Sequence, residues 1–209
     1  MNAVADEPDG ATPLDPDELD GLRHRHVTTR AELNELEQAN IEAGLLWLAR
    51  QRKTEILEDS FLRELHRRLF GGVWTWAGGY RLREKNIGID PLLIGVQVRQ
   101  ALRDAAYWAD HDTFKPLEAA ARFHHALVKI HPFPNGNGRH ARISADVYLA
   151  ECFRMPPINW SNNTDMTRNS IRRTAYIAAL RAADNFDFAP LLSFVGLPPD
   201  PDACLEGAE

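Results

Sequence analysis

His131-Pro132-Phe133-Pro134-Asn135-Gly136-Asn137-Gly138-Arg139-His140-Ala141-Arg142 is a proline- and glycine-punctuated break between two long apolar helical patterns. Before it, Leu117, Ala121, His124 and Val128 form one stripe and Ala120, Phe123, Leu127 and Ile130 the next. The helix expected over 116–130, started by Pro116, is therefore apolar around much of its circumference. After it, Ala141, Ile143, Ala145, Val147, Tyr148 and Cys152 leave little polar face on a helix expected over 139–153. Two helices of this kind belong at the centre of a helical domain, and the glycine loop lies between them.

Further helices follow outward from this pair. Thr29-Arg30-Ala31-Glu32 has the form of a capping box, and Leu33, Leu36, Ile41, Leu45 and Leu48 recur on one side of a helix over 30–51. Ser60 can cap a second helix with Phe61, Leu62, Leu65, Leu69 and Phe70 as its stripe, His66 at its margin and Gly71-Gly72 as its stop. Trp74 to Arg81 bends into extended chain, and residues 80–91 read as a small hairpin or extended flap around Asn86-Ile87-Gly88-Ile89, with Trp74 and Trp76 packed beneath it. Pro91 starts a helix to about Asp110 carrying Leu92, Val96, Leu102, Ala106 and Tyr107 inward. Thr164 or Asp165 caps another over 166–183, and a short one covers 189–195. The expected fold is thus all-α with one small β-hairpin. It forms a single domain over 21–196, between an acidic, flexible arm at 1–20 and a flexible polar tail at 197–209.

Composition narrows the function classes. The formal net charge of −6 and the absence of long Lys/Arg runs disfavour a nucleic-acid partner. With 44% hydrophobic and 26% charged residues the chain has the make-up of a globular protein, and its apolar runs are too short and too broken by charges for a membrane span. Two cysteines give no disulfide framework, and the acidic N-terminus lacks a signal-peptide pattern, so a cytoplasmic protein is expected.

The loop itself combines three kinds of group. Gly136 and Gly138 let main-chain N–H groups converge on an anion at a helix start, with the Asn137 side chain as an additional donor. Arg139 and Arg142, three apart, project from one side of the helix, and two guanidinium forks match a polyphosphate. His131 is a candidate general base. Together these residues point to phosphoryl or nucleotidyl transfer to a hydroxyl without a Walker loop, since no GxxxxGK[ST] occurs.

The spacing His-x-Phe-x-x-Gly-Asn-Gly-Arg-x-x-Arg over 131–142 closely resembles the signature of the Fic/Doc family. Trp76-Ala77-Gly78-Gly79-Tyr80-Arg81 looks like the approach to that family's flap, and the stretch from Arg30 to Leu192 resembles the branch labelled mobile mystery protein B. The resemblance implies a helical bundle with a hairpin flap and transfer of AMP from ATP, with Mg²⁺, to a Ser, Thr or Tyr hydroxyl of a target protein, self-modification and homo-oligomers included. It assigns His131 as base, Phe133 as loop anchor, and Asn135, Gly136, Asn137 and Gly138 to the nucleotide site. Arg139 would serve the α/β-phosphates, Arg142 the γ-phosphate, and Tyr176 the adenine. Lys85, Asn86, Ile87 and Gly88 would form the flap that docks target main chain by strand addition.

Asn135 departs from the family pattern, which carries Asp or Glu there for Mg²⁺; an amide oxygen can ligate the ion but brings no charge. Relatives are also restrained by a glutamate that pairs with the second motif arginine, and Leu36-Glu37-Gln38-Ala39-Asn40 resembles that segment distantly, making Glu37 a candidate brake. The alternatives are a Fic-type phosphotransferase with another donor, a nucleotide-binding toxin–antitoxin regulator with little turnover, and a metal site built from His124, His125, His131 and His140. Adjacent histidines diverge on a helix, which argues against the last.

Overall fold

The computed structural model describes residues 15–161 and 170–197. In chain order the helices are α1 (Pro16–Leu19), α2 (Arg30–Ala49), α3 (Asp59–Phe70), a 3₁₀ turn (Pro91–Leu93), α4 (Ile94–Asp110), α5 (Pro116–Ile130), α6 (Asn137–Phe153), α7 (Ile171–Asp184) and α8 (Ala189–Phe194). The sequence places α5 and α6 at the centre, and that is where they lie. α5 packs mainly against α6 and α4, α2 against α3, and α7 against α8. Ala119, Ala120, Ala121, Phe123 and Leu127 of α5 and Ala141, Ala145, Tyr148 and Leu149 of α6 are buried. The small residues let the two helices approach closely while the aromatic and leucine side chains fill the remaining volume. A second apolar cluster joins Leu33 and Ile41 of α2 to Leu65, Leu69 and Phe70 of α3 and to Val73 and Trp74.

The capping box of α2 forms as expected: Thr29 Oγ1 accepts from Glu32 N, and Glu32 accepts from Thr29 N. Its buried stripe, however, runs through Leu33, Glu37, Ile41 and Gly44, while Leu45 is exposed. Glu37 is one turn from each of Leu33 and Ile41, so the helical period carries a carboxylate into the core. The inward face of α4 also differs from expectation. Leu92, Val96 and Tyr107 are exposed, whereas Ile94, Val98, Ala101, Leu102 and Ala105 are buried. Residues 91–93 wind as a 3₁₀ turn of three residues, which rotates the phase of the α-helix that follows.

The expected hairpin over 80–91 is replaced by irregular chain. Among the described residues β-pairing is limited to an antiparallel bridge between Leu22 and Trp74, flanked by Arg23 N→Val73 O (2.9 Å) and Thr75 N→Gly21 O (2.9 Å). The reason lies in Arg81. Its buried guanidinium takes carbonyl oxygens of Arg83, Ile89, Ile130 and His131, so segment 80–91 wraps around a side chain in place of forming a ladder. Trp74 and Trp76 stack on each other, and their indole N–H groups go to Glu37 and to the Glu18 carbonyl, not to a hairpin above them.

Residues 1–14 of the expected arm, 198–209 of the tail, and the expected caps Thr164 and Asp165 lie outside the described residues. Residues 15–20 are docked as α1, with Lys85 paired to Asp15 (2.9 Å) and to Glu18. α7 is capped by Ser170, whose Oγ accepts from Arg173 N. No helix among the described residues is long and apolar enough to cross a membrane.

Five histidines sit in this interior with their pKa pushed down, chiefly by burial: His66 and His124 far below 6.5, His131 and His140 to about 4, and His125 to a lesser degree. An unfolded histidine takes a proton below about pH 6.5 while the folded one refuses it, so stability is complete above that pH and falls as pH drops towards 4. Burial raises Asp146 to about 6, which works in the opposite direction over part of the same range. The denaturation midpoint in urea should therefore decrease from pH 7.5 through 6 to 5. The slope is up to about 1.4 kcal/mol per pH unit for each histidine, offset by one such contribution. A midpoint that stayed flat over this range would contradict the burial.

Candidate active site

The loop between α5 and α6 is built from its ends inward. α5 stops at His131, which takes the left-handed conformation (φ 53°) while its N–H still bonds Leu127 O at 3.1 Å. α6 begins at Asn137, two residues earlier than the periodicity of its apolar residues places it. The Asn137 side chain closes the turn: Phe133 N donates to its Oδ1 (2.9 Å) and its Nδ2 donates to Phe133 O (2.8 Å). The amide expected to face a ligand is thus spent on the loop, because Phe133 is fully buried and its main-chain groups have no water. Gly136, at φ +78°, is required twice over. The left-handed backbone excludes most side chains, and a Cβ would stand 2.6 Å from the Phe70 ring.

The first intrahelical bond of α6 is His140 N→Gly136 O (2.9 Å), which leaves the N–H groups of Asn137, Gly138 and Arg139 directed out of the helix start. With the helix dipole they give this end a positive potential. Asn135 presents no comparable opening, since its Oδ1 accepts from Gly136 N at 2.5 Å and its carbonyl is bonded by His66 Nε2 at 3.1 Å.

His131, which ends α5 on the other side of the loop, is mostly buried, with its carbonyl gripped by Arg81 Nε at 2.6 Å. Burial first, and the Arg81 charge second, lower its pKa to about 4, so the ring is neutral and able to accept a proton at neutral pH. Gly88 of segment 80–91 packs directly on it, for a Cβ there would stand 2.7 Å from His131 Cβ. Of the four residues expected to dock a target, Gly88 is therefore beside His131, Asn86 is exposed, Ile87 is half-buried, and Lys85 is turned towards α1.

Arg139 and Arg142 diverge from a shared origin on the first turns of α6. Arg139 lies over the Phe70 ring (4.8 Å) and donates to Glu37 Oε2 at 2.8 Å, while Trp74 Nε1 donates to Glu37 Oε1 at 2.8 Å. Glu37 thus pairs with the first motif arginine, which corrects the expected pairing with the second. Arg142 lies over Tyr176 (5.4 Å), whose hydroxyl meets His124 Nε2 at 2.9 Å. Tyr176 is buried among His124, Phe194 and Arg142.

The histidine metal site does not form. His125 faces Asp184, His140 faces the Leu62 carbonyl and His124 faces Tyr176. Among the described residues no group of three or more His, Cys, Asp or Glu could hold a metal ion. At the loop the available donor is the Asn135 amide oxygen, uncharged and already engaged. The protein side of the site therefore does not fit Mg²⁺ as a protein-held ion.

Two side chains that hold the loop were not visible as such in the sequence. Arg81 follows a bend and reads as one more flap residue, and His66 reads as a helix margin. The glycine-aromatic approach to Arg81 was the available signal; for His66 there was none beyond its place on the apolar stripe of α3.

Residues 56–149 match the family model described as Fic/DOC family. The chain is 31% identical over 145 residues to protein adenylyltransferase fic-1 of Caenorhabditis elegans, which covers 68% of this chain and 27% of that protein. It is 30% identical over 147 residues to protein adenylyltransferase Fic of Nematostella vectensis, covering 68% of this chain and 32% of that one. The chain spans about a quarter to a third of the length of the curated relatives it matches. Among solved structures, BepC of Bartonella tribocorum with bound AMPPNP superposes with a TM-score of 0.67 at 16% identity, covering 90% of this chain and 93% of that one. Fic-1 of Caenorhabditis elegans (residues 134–508) superposes at 0.61 with 25% identity, covering 78% and 48%.

Replacing Asn137 with Ala leaves the Phe133 N–H and carbonyl buried without partners. It should lower unfolding free energy by about 2–4 kcal/mol, read as a shift of the urea midpoint. A loss below about 0.5 kcal/mol would mean the clasp is dispensable.

Proposed function

We propose that this chain, which belongs to the Fic/DOC family through residues 56–149, is a protein adenylyltransferase that moves AMP from ATP to a Ser, Thr or Tyr hydroxyl of a target protein. The observation that carries the reading is a neutral, buried histidine at the end of α5, joined by one short loop to a helix start with open N–H groups and with Arg139 and Arg142 in its first turns. The similarity to curated adenylyltransferases supports the same reaction class.

In the proposed reaction His131 takes the proton of the target hydroxyl as its oxygen bonds to the α-phosphorus, and the bond from that phosphorus to the bridging oxygen breaks, releasing pyrophosphate. The N–H groups of Asn137, Gly138 and Arg139 bind phosphate oxygens and stabilise the charge that builds on them. Arg139 neutralises the α/β-phosphates and Arg142 the γ-phosphate; Tyr176, buried beneath Arg142 and bonded to His124, backs that arginine and does not face the adenine expected for it. Gly88, packed on His131, brings one end of segment 85–88 next to that residue, so target main chain laid along it would deliver a hydroxyl there. Any Mg²⁺ would enter on the nucleotide, coordinated by phosphates and water, because Asn135 adds no carboxylate.

Glu37 restrains the site. A buried carboxylate with two donors holds the Arg139 guanidinium that this reading gives to the α/β-phosphates, so nucleotide must displace it. The relevant competition is charge against charge in a poorly hydrated place, where a lost partner matters more than at the surface.

Incubation with ATP and Mg²⁺ followed by intact mass should show an AMP increment on the protein or an added target. It should vanish in His131→Ala while ATP binding by calorimetry persists. A phosphate increment would favour the phosphotransferase alternative, and ATP binding without any adduct the regulator. The acid limb of kcat/KM should fall well below pH 6.5, towards the value of about 4 for His131; a limb at 6.5 would mean that the base is a different or exposed group. Glu37→Gly should raise both ATP affinity and the rate of modification roughly tenfold or more, and unchanged values would remove Glu37 as a brake.

A further inference from the structure

His66 belongs to α3, far in sequence from the loop, and is fully buried, yet both its ring nitrogens are committed. Nδ1 receives the Gly78 N–H at 3.0 Å, and Nε2 lies 3.1 Å from the Asn135 carbonyl. A main-chain N–H can only donate and a carbonyl can only accept, so the network fixes the neutral tautomer with the proton on Nε2. The ring is further stacked on Phe133 (3.7 Å between centroids, 21° between planes) and lies against Phe70, whose ring in turn abuts Gly136. One side chain therefore ties the root of segment 80–91, at Gly78, to the loop residue immediately before the anion-binding turn.

We propose that His66 is the positioning residue of the nucleotide site: its Nε2–H holds the Asn135 carbonyl and thereby aims the Asn137, Gly138 and Arg139 N–H groups at the bound phosphates. The inference rests on the adenylyltransferase reading for the identity of the phosphates, but not for the mechanics of the loop. Asn135 O belongs to the peptide that leads into Gly136, the left-handed residue at the start of α6. Gly136 is pinned from the other side by Phe70, so releasing Asn135 frees the peptide plane that sets the direction of the helix start. The Phe133 stack and the Asn137 clasp keep the rest of the loop in place, which confines the effect to the turn.

Two near-isosteric variants separate the two bonds of His66. In His66→Gln the side-chain NH₂ can occupy the place of Nε2 and still donate to Asn135 O, while the Gly78 N–H loses its acceptor. In His66→Asn the amide oxygen can occupy the place of Nδ1 and serve Gly78, while Asn135 O loses its donor. Each removes one buried bond, so their thermal midpoints should fall by similar amounts. ATP affinity by calorimetry, measured in the native chain and in a Glu37→Gly background, should stay within about threefold of the parent for Gln and drop about tenfold or more for Asn. Hydrogen exchange of peptides covering 133–140 should rise for Asn alone. Equal affinities and equal exchange in the two variants would overturn the positioning role and leave His66 as core packing. If no variant or parent binds ATP, the nucleotide reading fails, and the exchange difference still decides whether His66 holds the loop.

Discussion

The Asn137 amide closing on both main-chain groups of Phe133 is the constraint from which the site follows. A loop that crosses the buried centre of a helical domain must find partners for every N–H and carbonyl it brings there. Here one side chain, at the first residue of α6, satisfies two of them and so fixes where the helix starts. With that start fixed, the N–H groups of 137–139 point out of the helix, and the two arginines leave it from adjacent turns. The loop can be glycine-rich at Gly136 without being loose, because its rigidity comes from Asn137, His66 and the stacked Phe133.

Around this centre charge is handled by burial with matched partners. Arg81 spends its donors on carbonyl oxygens of two separate segments, which replaces sheet hydrogen bonding by a side-chain hub and keeps segment 80–91 against His131. Glu37, between an indole N–H and Arg139, does the same for α2. A buried pair of this kind contributes little net stability, since desolvation offsets most of its attraction, but it is costly to leave half-made. The Trp74 indole that completes it also pairs through its main chain with Leu22, so the N-terminal segment and the Glu37 contact share one support.

Much of the scaffold was readable from periodicity. The apolar character of 116–130 and 141–152 placed α5 and α6 at the centre, the box at Thr29–Glu32 placed the start of α2, and the spacing of His131, Gly136, Gly138, Arg139 and Arg142 marked the loop as an anion site. The misses have specific causes. Leu92 and Val96 were assigned inward because an α-helical period was run through residues that wind as a 3₁₀ turn. The hairpin was expected because Asn86 to Ile89 look extended, whereas the Arg81 guanidinium at the start of the same segment takes carbonyls a ladder would need. Asn137 was counted as a ligand donor because no sequence pattern distinguishes a side chain facing out of a turn from one folded back across it.

By itself, the sequence determined what depends on neighbours along the chain: helix identity and the approximate ends of helices, the apolar faces, and the presence of a histidine, glycines and arginines at a helix entry. These follow from local periods, from proline and glycine backbone preferences, and from the order of residue types. What only the tertiary structure decided are the pairings between residues 37 and 139, 66 and 135, and 81 and 131. Each joins a polar group to one it meets only after the helices have packed, and its strength comes from the exclusion of water at that meeting place, a property no stretch of sequence carries.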